Sequence, residues 1–140
     1  MHNADSATQN HAWQPPQWVP PRLYPFTHRF CEIDGHRIHY LDEGKGEVIL
    51  FLHGNPAWSF LFRKVVPLLS GNYRCVAPDY PGFGLSTAAA GYDFLPESHA
   101  AVVAAFIEKI GLKQATLAVS DWGGPIGLSV AAAKPYLVPR

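Results

Sequence analysis

The stretch Ala115-Thr116-Leu117-Ala118-Val119-Ser120-Asp121-Trp122-Gly123-Gly124 decides the fold. Its first five residues are apolar or β-branched, which predicts a buried strand over 115–119. Ser120 to Gly124 then turns sharply into a last helix, which Pro135 ends. Glycines just past such a corner let strand and helix approach closely, and the side chain at the corner is held exposed. The acidic residue placed there is Asp121.

Working outward, the same strand-then-turn pattern occurs twice more. Glu47 to Leu52 is almost continuously apolar (Val48, Ile49, Leu50, Phe51), the signature of a strand covered on both faces, and His53-Gly54-Asn55-Pro56 breaks it. Tyr73 to Ala77 is a second buried strand, ended by Asp79-Tyr80-Pro81-Gly82-Phe83-Gly84. Trp58 to Leu69, between them, carries helical spacing. Asp93 and Pro96-Glu97 open a helix with the apolar stripe Val102, Val103, Phe106, Ile107, Ile110, stopped by Gly111. Earlier still, His28–Ile33 and His36–Leu41 flank an Asp34-Gly35 hairpin turn. In the second of these, Ile38 and Tyr40 alternate with Arg37 and His39, as expected of a half-exposed strand near a sheet edge. Glu43-Gly44-Lys45-Gly46 is a turn.

This order predicts an α/β fold, a mostly parallel sheet with an antiparallel N-terminal hairpin. Ligands in such sheets bind outside the carboxyl ends of the strands. The polar turns at 53–56, 79–84 and 120–124 all fall at those ends, which marks one face as the active one. Residues 1–28, rich in Pro, Gln and Trp, form an arm that cannot be regular helix or central strand; its aromatics Trp13, Trp18, Tyr24 and Phe26 suggest packing on a surface, after a disordered start. The core unit is 29–140.

The composition narrows the functional class. Eleven Lys plus Arg balance eleven Asp plus Glu, so no basic field exists to attract nucleic acid, and a neutral, apolar substrate fits better than a charged one. There is no signal-peptide pattern and no long apolar run, so a cytoplasmic location is the default and no membrane partner is expected. Cys31 and Cys75 sit in apolar segments and read as small buried hydrophobes. No metal site and no cofactor is expected.

Asp121 at the start of a helix would be favoured in its ionised form by the helix dipole, and an ionised carboxylate attacks without a separate base. The alternative is an Asp that merely caps the helix. Ser120 is a poorer nucleophile candidate, because the corner needs small residues two positions either side. Around Ser120 these are Ala118 and the bulky Trp122; around Asp121 they are Val119 and Gly123.

Three motifs, His53-Gly54-Asn55-Pro56-Ala57-Trp58-Ser59-Phe60-Leu61, Asp79-Tyr80-Pro81-Gly82-Phe83-Gly84-Leu85-Ser86 and Asp121-Trp122-Gly123-Gly124-Pro125, resemble the active-face loops of haloalkane dehalogenases, in that family's order and at about its spacing. The resemblance, over residues 29 to about 134, implies an α/β-hydrolase fold with Asp121 as nucleophile. It also implies a halide clamp of the Asn55 amide and the Trp122 indole N–H, and an oxyanion hole from the backbone N–H groups of the same two residues. The implied partners are a small halogenated substrate, water and the halide ion. Uncharged donors suit that task, since a cation would hold the departing halide too tightly. His53 is expected to brace its loop by hydrogen bonding, and the 79–86 loop is read as turn-forming without a catalytic role. His2, His11, His28, His36, His39 and His99 are not placed by the pattern to touch Asp121.

In that family a His base, an acidic partner and a helical cap follow the nucleophile, and the sequence reads as truncated after the nucleophile-elbow helix. The strand at 115–119 is then expected to present an open edge, which invites self-association. The alternatives are an epoxide hydrolase-like enzyme, which shares the Asp nucleophile, and a catalytically inert fragment. Asn55 favours the dehalogenase, because an epoxide oxygen needs no halide donor.

Overall fold

In the computed structural model of the protein, which describes residues 13–138, five strands form one sheet. They are β1 (Arg29–Ile33), β2 (His36–Glu43), β3 (Val48–Leu52), β4 (Arg74–Pro78) and β5 (Thr116–Val119), in the order β1-β2-β4-β3-β5. β1 and β2 pair antiparallel through the Asp34-Gly35 turn, and β2 continues antiparallel onto β4. From there the sheet is parallel: β3 lies between β4 and β5, with Leu50 opposite Val76 on one side and Leu117 on the other. Leu50, Leu52, Val76 and Ala77 are fully buried, as uninterrupted apolar strands in a covered parallel sheet must be.

Helix α2 (Pro96–Lys109) begins on Pro96, whose missing N–H costs nothing in a first turn. It lays Val102, Val103, Phe106 and Ile107 against one sheet face, and α3 (Gly123–Ala133) adds Ile126 and Val130 to the same core. The opposite face is covered differently. The expected single helix over 58–69 is replaced by a 3₁₀ turn, Ser59–Phe62, and a short helix α1, Val65–Leu69. Pro67 is the reason: it has no N–H for the carbonyl of Arg63, and its ring would strike the turn before it. The break places Pro67 in the first turn of α1, where it is tolerated.

The arm completes this second face. Val19 and Tyr24 are buried with Leu41, Phe51, Phe62 and Val66. Trp18 packs edge-on to Trp58, and Trp13 packs edge-on to Phe30. Residues 1–12, to which the disordered start, His2 and His11 belong, lie outside the described residues. The arm also corrects one expectation: His39, on the supposedly half-exposed face of β2, is fully buried, because Tyr24 and His28 pack over it. Cys31 and Cys75 are both free thiols, Cys75 buried and Cys31 partly so. Among the described residues no helix is long and apolar enough to cross a membrane.

Candidate active site

The carboxyl ends of β3, β4 and β5 bring the three polar turns together. At the end of β5 the Ser120 N–H still donates to the Leu52 carbonyl at 3.1 Å, and Asp121 then takes φ +51°, a left-handed conformation uncommon outside glycine. Gly123 donates to the Ser120 carbonyl at 2.8 Å and Gly124 to the Asp121 carbonyl at 2.9 Å, which closes the turn into α3. Two glycines are forced by close approach. A Cβ on Gly123 would strike the Leu52 carbonyl, and a Cβ on Gly54 would strike the carboxylate of Asp121. Holding a non-glycine residue in this region costs on the order of 1 kcal/mol or more, and such outliers concentrate at functional sites.

The carboxylate is exposed and does not cap the helix: the residue before α3 is Trp122, and no side chain caps it. Instead the Asn55 backbone N–H donates to Asp121 Oδ2 at 3.1 Å. The backbone N–H groups of Trp122 and Asn55 hold the Asp121 carboxyl below the usual carboxylate range, so it is ionised at neutral pH. The two amides named from the sequence therefore converge on the acid named from the sequence.

Beside them lies a cavity of about 220 Å³ lined by Asn55, Trp122, Tyr80, Phe83, Phe94 and His99, among others. Asp121 is not in that lining. It borders an adjoining open hollow with Trp122 and Pro125, so Trp122 is the wall shared between the acid and the cavity. The cavity surface is mainly aromatic, which suits a small apolar ligand oriented by few polar groups.

Sequence reasoning missed four of these lining residues. Tyr80, 3% exposed, packs tilted against His53 and stacks on His99, with ring centroids 4.0 and 5.0 Å apart. Its buried hydroxyl has no hydrogen-bond partner among the described residues, and burial pushes its pKa up. His99 Nδ1 bonds the Tyr92 hydroxyl at 2.9 Å; burial, then the neighbouring His53, push its pKa down to about 4, so it is neutral. Phe94 has φ +58°, a true outlier for a bulky residue, and leans over Gly82 at the cavity wall. Phe83 and Tyr80 sit inside a motif read as a mere turn, so nothing local flagged them.

The loop supports are buried. His53 is fully buried; its Nδ1 donates to the Gly54 carbonyl at 2.8 Å and its Nε2 accepts from the Tyr80 N–H at 3.2 Å, as the bracing expectation required. Asp79 is fully buried too, and accepts from His39 Nδ1 (2.8 Å), Ser59 N–H (2.7 Å) and Leu85 N–H (3.1 Å). His39 in turn bonds His28 at 2.9 Å. No hydrogen bond joins any histidine to Asp121 among the described residues.

Comparison with known proteins gives the family and the fold. A sequence family described as the alpha/beta hydrolase fold matches residues 47–140. Haloalkane dehalogenase 2 of Mycobacterium tuberculosis is 48% identical over 111 residues, which is 79% of this chain and 39% of that protein. The chain thus spans about two-fifths of the length of the curated relatives it matches. Among solved structures, an ancestral haloalkane dehalogenase superposes with a TM-score of 0.73 at 34% identity, covering 78% of this chain and 39% of that one. An epoxide hydrolase from Vigna radiata superposes with a TM-score of 0.75 at 30% identity, covering 83% and 38%.

Proposed function

The chain belongs to the alpha/beta hydrolase fold family, and on that premise we propose that it supplies the nucleophile and leaving-group clamp of a hydrolytic dehalogenase acting on haloalkanes. One observation carries the reading: Asp121, exposed and ionised at a left-handed corner, receives the Asn55 N–H at 3.1 Å, while Asn55 and Trp122 together line the adjacent aromatic cavity. The left-handed corner and the close approach at Gly123 support a nucleophile-elbow reading. The 48% identity to a haloalkane dehalogenase supports the same reaction class.

In the first half-reaction an Asp121 oxygen attacks the carbon that bears the halogen. The carbon–oxygen bond of an alkyl ester forms, the carbon–halogen pair leaves as halide, and no proton moves. Negative charge builds on the halogen opposite the attacking oxygen, and the Asn55 amide and Trp122 indole N–H are donors suited to it. In the second half, water adds to the ester carbonyl, and the backbone N–H groups of Asn55 and Trp122 stabilise the oxyanion. Because these amides already engage the Asp121 carboxylate, little reorganisation is required. The water must lose a proton to a base, and His99 in the cavity lining, its pKa pushed down to about 4, is a weak one; the ester is therefore expected to accumulate.

Intact mass after incubation with 1-bromohexane tests the proposal. The expected result is a gain of one hexyl group in place of a proton, absent in Asp121→Asn; no adduct on folded protein would favour an inert chain. A second reading, epoxide ring opening by the same Asp, is favoured by the likeness to the Vigna radiata enzyme. An adduct with styrene oxide and none with bromoalkanes would reverse the order.

A further inference from the structure

Asn55 lies on a short bridge, and both abutments of that bridge are tied to one corner of the sheet. At the near end, the Gly54 carbonyl accepts from His53 Nδ1. At the far end, the Ser59 N–H donates to Asp79 Oδ1. The two anchors meet at the end of β4, because His53 Nε2 accepts the N–H of Tyr80, the residue after Asp79. A backbone N–H only donates and a carbonyl only accepts, so this pattern fixes His53 as a neutral ring with its proton on Nδ1. Burial acts in the same direction, lowering its pKa.

Asp79 is an expensive residue for a strand end. A fully buried carboxylate that pairs with no Lys or Arg among the described residues is tolerated only when its oxygens are satisfied by hydrogen bonds. Here one oxygen serves Ser59 alone, and the other accepts from His39 and Leu85. The fit is tight, since a Cβ on Gly84 would collide with the Asp79 carboxylate and with Trp58. Between the anchors lie only Asn55, Pro56, Ala57 and Trp58, and the Trp58 ring is stacked 5.4 Å from Phe60 and packed 5.0 Å from Tyr24. Little slack remains for Asn55.

We propose that Asp79 and His53 are positioning residues that pin both ends of the Asn55 segment and so set where Asn55 sits relative to Asp121 and Trp122. The inference rests on the reading of Asn55 as a halide donor. Neither residue touches substrate; both act through Asn55.

The test uses the full chain, isotope-labelled, with sodium bromide titrated against the Trp122 indole N–H resonance. Asn55→Ala is expected to weaken bromide binding. Asp79→Asn and His53→Gln are each expected to weaken it about tenfold, a typical cost of losing one charge-assisted or buried hydrogen bond. In the Asn55→Ala background that further loss should vanish, because residues acting through a shared partner are non-additive. Full additivity would overturn the proposal, since a general loosening of the fold does not depend on Asn55. If Asp79→Asn does not fold, His53→Gln carries the same cycle from the other abutment. Amide exchange on the same samples separates the two layers. In either variant Asn55 is expected to exchange about tenfold faster while Leu50 in β3 stays protected. Unchanged Asn55 exchange overturns the positioning role whatever bromide does, and unchanged bromide affinity in Asn55→Ala alone overturns the halide reading.

Discussion

At the scale of single residues, the proposed chemistry turns on a carboxylate that needs no activation. The Trp122 and Asn55 amides lower the Asp121 pKa from its ordinary value, so its ionised form is complete throughout the neutral range. Alkylation by a bromoalkane is accordingly expected to be flat between pH 5 and pH 9 and to fall only as pH drops below the ordinary carboxylate range. A rise through pH 6–7, followed by rapid mass spectrometry, would instead point to a histidine. Trp122→Phe removes the indole donor from a side chain that is 48% exposed. Ester formation should slow by about 10²–10³-fold, as for loss of one oxyanion-hole donor, while the urea midpoint stays within the small range of surface substitutions. Asp121 could be singled out from the corner itself, whereas Asn55 and Trp122 were named only through the resemblance of their loops to those of haloalkane dehalogenases; the fold brings the three side by side. Tyr80, Phe94 and His99 were not, because their role comes from meeting at a cavity wall across 80–99, which no local pattern encodes.

At the scale of elements, the corner between β5 and α3 depends on contact between backbones. Gly123→Ala would drive a methyl group into the Leu52 carbonyl, an atom that cannot swing aside. Overpacking of this kind costs about 1–3 kcal/mol or more, and urea denaturation should show it together with loss of the Asp121 adduct. Gly124→Ala, where an added Cβ meets nothing, is expected to keep both. The strands, the hairpin, α2 and α3 could be read from apolar runs, Asp-Gly and proline placement. The segment after His53 could not. Its helical spacing was real, but Pro67 and the anchoring of Ser59 by Asp79 divide it into a 3₁₀ turn and a five-residue helix. Asp79 itself looked like loop filler, and its three donors come from sequence positions 39, 59 and 85, which only the fold unites.

At the scale of the whole molecule, the fold buries neutral imidazoles on both faces of the sheet. His99 is held at about 4, and His53 and His28 are also lowered, each chiefly by burial. In the unfolded chain these groups titrate near 6.5, so the unfolded state takes up protons first as pH falls. Stability is thus full above about pH 6.5 and is lost progressively toward pH 4. The urea midpoint should drop between pH 7.5 and pH 4.5, and His99→Phe should flatten that drop; an unchanged slope would show that His99 titrates normally. The arm explains why β2 misled: alternation in the sequence reported a solvent face, while Tyr24 and His28 from outside the core unit cover it.

The most direct measurement is anomalous diffraction from crystals of the protein soaked in bromide. A single strong peak is expected between the Asn55 amide and the Trp122 indole nitrogen, on the cavity side of Asp121, and it should disappear in Asn55→Ala crystals. Bromide found only at surface cations, with none between residues 55 and 122, would contradict the assignment of this corner to carbon–halogen chemistry.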